Sequence, residues 1–265
     1  MKTTRLKGIV IVILLLVNVF LLFLLLSRRA EENAGRERAA EQLVTLFAGG
    51  GITLDPSLLP QNETIPSAES ARSEARETAF AERLLSDVTM LDSGGGVSLY
   101  TGAEGQCSIR SGGAVDAELS RAVDDPEDFC RKLFRDFGYR CTDTQLSGGS
   151  GTVTGVRCED ELLVFNASLT LSFSRGTLTG VSGTLLPTLE EGRRSTGVDA
   201  FSALVHFFDY RNLSGAVCTR IVSVDSGYLL QSSAAAPLKL LPVWRITTDV
   251  NSYYVNYNTG EITRE

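Results

Sequence analysis

One histidine, one tryptophan and two methionines are all that this chain of 265 residues has of those types, and its five cysteines include no Cys-x-x-Cys pair. Each scarcity excludes a class of chemistry. A Ser-His-Asp centre needs three groups converging from separate elements on a pocket with an oxyanion hole. Here Ser202, His206 and Asp209 fall at helical spacing along one segment, a row expected to face water. Zinc-type ligand spacing is absent, because no histidine lies near Cys107, Cys130, Cys141, Cys158 or Cys218. An odd number of scattered cysteines is read as small buried hydrophobes, not as a disulfide framework. Basic residues are outnumbered, 25 Lys and Arg against 32 Asp and Glu, for a net charge of −7. That balance excludes a nucleic-acid partner, which needs a cationic surface to displace counterions. Gly148-Gly149-Ser150-Gly151 lacks the Lys-Ser/Thr of a phosphate loop and is a turn. Asn62, Asn166 and Asn212 match the glycosylation pattern, a match that carries no weight by itself. The expectation is a protein with no catalytic residues, no cofactor and no metal site, hence no enzyme.

What the chain does have is one long apolar run. Residues 8–26, GIVIVILLLVNVFLLFLLL, contain no charge and one polar amide, Asn18. At 1.5 Å per helical residue the run spans about 28 Å, close to the hydrocarbon thickness of a bilayer. It is longer than a secretory signal core and exits into Ser27-Arg28-Arg29 instead of a small-residue cleavage site, so retention as a single-pass anchor is expected. Basic residues on its two sides nearly balance. A long tail without a second span must lie wholly on one side, and the expected topology has residues 1–7 in the cytoplasm and the rest outside the cell. Asn18 falls near the middle of the span, where an interhelical hydrogen bond is worth roughly 0.6–2 kcal/mol. It is the one candidate partner-binding residue; simple tolerance of a lone amide is the equal alternative.

Downstream, the pattern predicts an α+β fold in which antiparallel sheets pack with helices as two diverged helix-plus-sheet units. Residues 31–48 carry an apolar stripe at Ala39, Ala40, Leu43, Val44 and Phe47, giving a juxtamembrane helix that three glycines stop. Residues 27–66 are assigned to this helix and a proline-containing linker, and 67–265 to the outer domain, divided into units 67–190 and 191–265. A helix is expected over 67–88. Another follows Asp125, with Pro126 at its first position, Glu127 and Asp128 at its positive end and Gly138 as its stop. Residues 162–174 alternate Leu163, Phe165, Ala167, Leu169, Leu171 and Phe173 with polar side chains, a strand with one wet face. A fourth helix over 198–210 has Thr196 and Asp199 at its start and a core stripe of Val198, Phe201, Leu204, Val205 and Phe208. Strands are expected at 97–100, 106–110, 152–158, 178–185, 216–224, 227–230, 243–248 and 253–257.

The C-terminal segment is the most distinctive. It reads PVWRI, then after a short turn YYVNYNTGEI, which places Trp244 and Ile246 on one face of a hairpin and Tyr253, Val255 and Tyr257 on another. This ending is similar to the terminal hairpin of PepSY-like modules. Together with the IVIVILLLVNVFLLFLLL span and the LFAGGGITLDPSLLP that follows, it resembles the YycI branch of the YycH/YycI family. The resemblance covers both ends and the layout but no motif between 90 and 190. It implies an extracytoplasmic domain and a transmembrane helix that together regulate a membrane sensor histidine kinase, beside a YycH-like partner. The system concerned is a cell-wall-controlling two-component system of Gram-positive bacteria. The family offers no catalytic residues to carry over. Two other readings stay open: an anchored PepSY-type module that binds or inhibits a peptidase or binds an envelope ligand, and an anchored hydrolase, which the single histidine disfavours.

Overall fold

The computed structural model describes residues 18, 20–22, 34–60, 64–70, 72–159, 161–187, 190–191, 196–233 and 236–264. The expected tail over 1–7 lies outside these residues. So does the expected span over 8–26, apart from Asn18 and residues 20–22, which are helical and exposed. Among the described residues no helix is long and apolar enough to cross a membrane.

The first helix, α1, is described over residues 34–49. It buries Leu43 and Phe47, one turn apart, and ends where Gly51 adopts φ +74° and the Ile52 amide donates to the Phe47 carbonyl. The stretch expected to be a linker is in part core: Ile52, Leu54 and Ile65 are buried, and Thr53 bridges Arg220. Ala68–Ser70 forms β1, not helix, because its backbone is taken by sheet partners on both edges. The expected helix over 67–88 is therefore shortened to α2, Glu74–Leu84, which Ser73 caps by accepting from the Arg76 amide. A meander follows, β2 (Thr89–Asp92), β3 (Val97–Gly102), β4 (Gly105–Arg110) and β5 (Ala114–Ala122). Helix α3, Pro126–Phe137, has its cap, first proline and closing glycine where the sequence places them. Asp125 accepts from the amides of Glu127 and Asp128, and Gly138 sits at φ 73°. Next come β6 (Tyr139–Ser147), β7 (Ser150–Glu159), β8 (Leu162–Ser174), β9 (Thr177–Thr184) and the two-residue β10 (Glu190–Glu191).

Helix α4, Ala200–Ser214, is capped by Asp199, which accepts from the Ser202 amide. Its buried face is Ala200, Ala203, Leu204 and Phe207, one position away from the expected stripe, and Val205 is 40% exposed. The sequence FSALVHFF is apolar on more than one side, so periodicity alone does not choose the buried face. The chain closes with β11 (Ile221–Ser233), β12 (Ala236–Thr248), β13 (Ser252–Asn256) and β14 (Ile262–Arg264). β11 is one continuous strand where two were expected. β12 passes through Pro242, whose carbonyl accepts from the Tyr257 amide. A strand residue directs its N–H and C=O to the same edge, so the missing donor faces the gap where β12 changes partner. β1 pairs residues 238–240 there and β13 pairs 243–247.

These strands make a mixed α+β fold with a large, mostly antiparallel sheet, in the order β10-β1-β12-β11-β8-β9-β5-β4-β3-β2. β13 and β14 extend from β12, and β7 and β6 from β8. The sheet divides at β8. β7 follows one edge of β8, while the other edge pairs first with β11, in parallel at Leu163 and Val164, and then with β9 from Leu169 to Ser174. Between the two partners β8 bulges: β7 advances from Val156 to Cys158 while β8 moves from Ser168 to Leu163. The expected strict alternation holds from Ala167 to Phe173 and breaks at this bulge, where Val164 is buried and Leu163 and Phe165 are only half-buried.

Two hydrophobic clusters result. In one, α2 and α3 cover β3–β5 and β7–β9, with Phe80, Leu84, Tyr100, Ile109, Leu133 and Phe134 among its buried side chains. In the other, α1 and α4 cover β11–β13, with Phe47, Phe207, Trp244, Ile246, Tyr253 and Val255. Trp244 is fully buried, and its indole Nε1 donates to the Val198 carbonyl at 2.7 Å, just ahead of α4. Trp244→Ala removes this volume and orphans a carbonyl, so unfolding of a fragment spanning 31–265 is expected to lose about 3–5 kcal/mol. Equal urea midpoints for variant and parent would contradict the packing described.

Candidate functional site

Among the described residues no group of three or more His, Cys, Asp or Glu side chains could hold a metal ion. Ser202, His206 and Asp209 all lie exposed along α4. The His206 ring packs over Gly260, so close that a Cβ there would come 3.0 Å from Nε2. Its place is at the foot of the terminal turn.

The surface feature with the clearest structural logic is a groove of about 470 Å³ between α1 and α4. Helix α1 points Leu43 and Phe47 inward and offers Ala39, Gln42 and Leu46 to the groove. Helix α4 supplies Phe201, Val205 and His206. Leu46 and Val205 remain 39% and 40% exposed. The groove exists because α4 has more apolar positions than the sheet can cover, and the surplus faces α1. Ring contacts fix the two helices beneath it. Phe47 packs on Phe208 at 5.2 Å and on Phe207 at 6.4 Å, and Phe207 packs on Tyr253 at 4.9 Å. Phe201 and Val205 were expected in the core, and the signal for a second face was the unbroken apolar character of this helix. Asn18, the candidate partner-binding residue of the span, is helical and exposed, with none of its neighbours at residues 19 and 23–26 described.

A second groove, about 620 Å³, lies between α3 and β6 and is lined in part by Cys130, Cys141 and Cys158. All five cysteines are free thiols. Cys107, Cys130 and Cys218 are buried, as expected of small hydrophobes, whereas Cys141 is exposed and Cys158 half-buried beside the Arg140 guanidinium, 3.4 Å from its Sγ. Burial, reinforced by Asp116 and Glu77, pushes the Cys107 thiol up to about 12; burial, with Cys141 and Glu127 nearby, does the same to Cys130. The thiolate is the reactive form, so at pH 8 both are protonated as well as covered.

No family model matches the chain, and no curated protein does. Among solved structures, an uncharacterized protein of Eubacterium rectale is similar with a TM-score of 0.51 at 10% identity, over 77% of this chain and 86% of that one. The C-terminal domain of YpeB from Bacillus megaterium aligns with a TM-score of 0.38 at 13% identity, over 74% of this chain and 98% of that one. YycH from Bacillus subtilis aligns with a TM-score of 0.39 at 14% identity, over 78% of this chain and 53% of that one. The first likeness shows a shared fold and nothing of the chemistry; the other two carry no argument.

Alkylation of the native chain at pH 8, followed by mass spectrometry, is expected to modify Cys141 and to leave Cys107 and Cys130 intact. Modification of Cys107 at the rate of Cys141 would contradict the burial of the first core.

Proposed function

We propose that this chain is a membrane-anchored, non-enzymatic accessory protein that regulates a sensor histidine kinase of a cell-wall-controlling two-component system, alongside a YycH-like partner. In this reading residues 1–7 are cytoplasmic, 8–26 cross the bilayer, 27–66 lead away from it, and 67–265 form the extracellular domain, with units 67–190 and 191–265. The uncharged apolar sequence of 8–26 and the resemblance of both chain ends to YycI support it. The observation that weighs most is the seating of α1. This helix follows the proposed span and is packed into the folded body through Leu43 and Phe47, against rings of α4. A helix so placed is a strut, not a tether. Rotation or tilt of the span is then delivered to α4 and the hairpin behind it, and the apolar groove between α1 and α4 is a contact surface for the partner on the outer side. Within the bilayer, Asn18 is proposed to hydrogen-bond a partner helix.

The test is made in a strain without the native copy, reading the target promoters of the response regulator. Replacing residues 8–26 with an unrelated apolar helix of equal length is expected to abolish regulation while the chain is still exported. Asn18→Leu and Val205→Arg are expected to weaken regulation without loss of folded protein, since Val205 lies outside the core. A C-terminal alkaline phosphatase fusion is expected to be active. An inactive fusion would overturn the topology, and parental regulation by all three variants would overturn the role of the span and groove.

A further inference from the structure

We infer that the cleft where the sheet divides at β8 binds a small zwitterion, an amino acid or the end of a short peptide that carries both a carboxylate and an ammonium group. The site is independent of the kinase reading. It measures about 590 Å³, within the range of small-molecule pockets, and its walls come from both halves of the fold. Phe165 stands on β8 at the bulge, Asp225 on β11, Arg245 on β12, Arg140 on β6, and Glu161 on the turn between β7 and β8.

The cationic side is built before any ligand arrives. The Arg245 guanidinium lies over the Phe165 ring, 4.1 Å from its centroid, and donates through Nη2 to Asp225 Oδ2 at 2.9 Å. Asp225 is itself held by Ser223, whose Oγ donates to the same oxygen at 2.8 Å. Stacked on one face and bonded at one end, the guanidinium has a fixed plane. Arg140 also lines the cleft; its side chain makes one polar contact, to Cys158 Sγ, and no ion pair among the described residues. The Arg140 guanidinium, free of any ion pair among the described residues, suits a carboxylate, which accepts in a planar, bidentate manner.

The anionic side balances it. Glu161 stands in the two-residue turn of the β7–β8 hairpin, whose geometry sets its φ at 72° and leaves its side chain exposed. Its carboxylate has no ion-pair partner among the described residues, and Asp225 Oδ1 is likewise left open by the bonds to Oδ2. Beyond the Arg245–Asp225 ion pair, the cleft presents one cation, Arg140, and one carboxylate, Glu161. They match a molecule with one charge of each sign, and the apolar walls from Leu162, Leu163 and Val224 leave room for a small side chain. Because the walls belong to both halves, a bound molecule bridges them.

The intact chain in detergent micelles is titrated calorimetrically with glycine, Ala-Ala and Ala-Gln. N-acetyl-Ala-Ala-amide, acetate and inorganic phosphate serve as comparisons. At least one zwitterion is expected to bind with one-to-one stoichiometry and a Kd of about 1 mM or tighter, with no binding of the blocked dipeptide. Arg140→Gln and Glu161→Gln, both at exposed positions that leave the fold intact, are each expected to weaken it about tenfold, roughly the worth of one charge-assisted hydrogen bond. Absence of binding by all three zwitterions would overturn the proposal. So would phosphate or the blocked dipeptide binding as tightly as a zwitterion, or unchanged affinity in both variants.

Discussion

The architecture depends on one side chain closing a break in one strand. Asn166 sits in the bulge of β8, and its amide does what a backbone residue would do. Nδ2 donates to the Leu230 carbonyl at 2.9 Å, and Oδ1 accepts from the Leu230 amide at 2.7 Å. β8 thereby continues its pairing with β11 through a side chain at the point where its own backbone turns toward β9. A strand that changes partner leaves backbone groups of its neighbour without a ladder partner, and the exposed Asn166 pairs both of those of Leu230 at the surface. The same junction requires a close approach on the other side. A Cβ at Gly227 would lie 2.5 Å from the Leu163 carbonyl, so only glycine lets the parallel strands meet there.

From that junction the two hydrophobic clusters diverge, and the path from the first helix to it is continuous packing. Phe47 of α1 touches Phe207 of α4, Phe207 touches Tyr253 of β13, and Tyr253 stands opposite Ile246 of β12. The next residue along β12, Arg245, lies over Phe165 at the bulge. Two arginines, Arg157 buried and Arg76 half-buried, brace the other cluster. Arg76 of α2 donates to the Phe137 carbonyl at 2.9 Å, and Arg157 of β7 donates to the same oxygen, placing two cations at the negative end of α3. Arg157 continues to Glu159 at 2.6 Å. Desolvation, with the like charge of Arg157 beside it, lowers the Arg76 pKa from its ordinary value. Packing of this kind transmits displacement because its elements are close-fitted.

Local chemistry made some elements legible and left others silent. Helix α3 was readable nearly to the residue, since a capping aspartate, a first-position proline and a closing glycine are local signals that no tertiary contact overrode. The alternation from Ala167 to Phe173 likewise survived, because one face of β8 is covered throughout that length. β6 gave no pattern, since it is an outer strand exposed along most of its length. β5 was missed although Val115, Ala117 and Leu119 alternate inward, because acidic and small residues between them resemble a loop. The face of α4 and the bulge at Asn166 depend on what packs against them, which a single chain of letters does not show. That same dependence hid the groove and the cleft: Val205 and Phe201 looked like core, Arg245 like an ordinary strand residue, and Asp225 like part of a break between two strands.

The central claim is that the two clusters, joined through β8, behave as one body. The chain supplies a separate reporter for each, because Trp244, its single tryptophan, is buried in one core and the Cys107 thiol in the other. Urea unfolding followed simultaneously by tryptophan fluorescence and by pulsed alkylation of Cys107 tests the claim directly. Coincident midpoints and slopes are the predicted result, as expected for a single cooperative transition. Separate midpoints, with Cys107 exposed while Trp244 is still buried or the reverse, would contradict it.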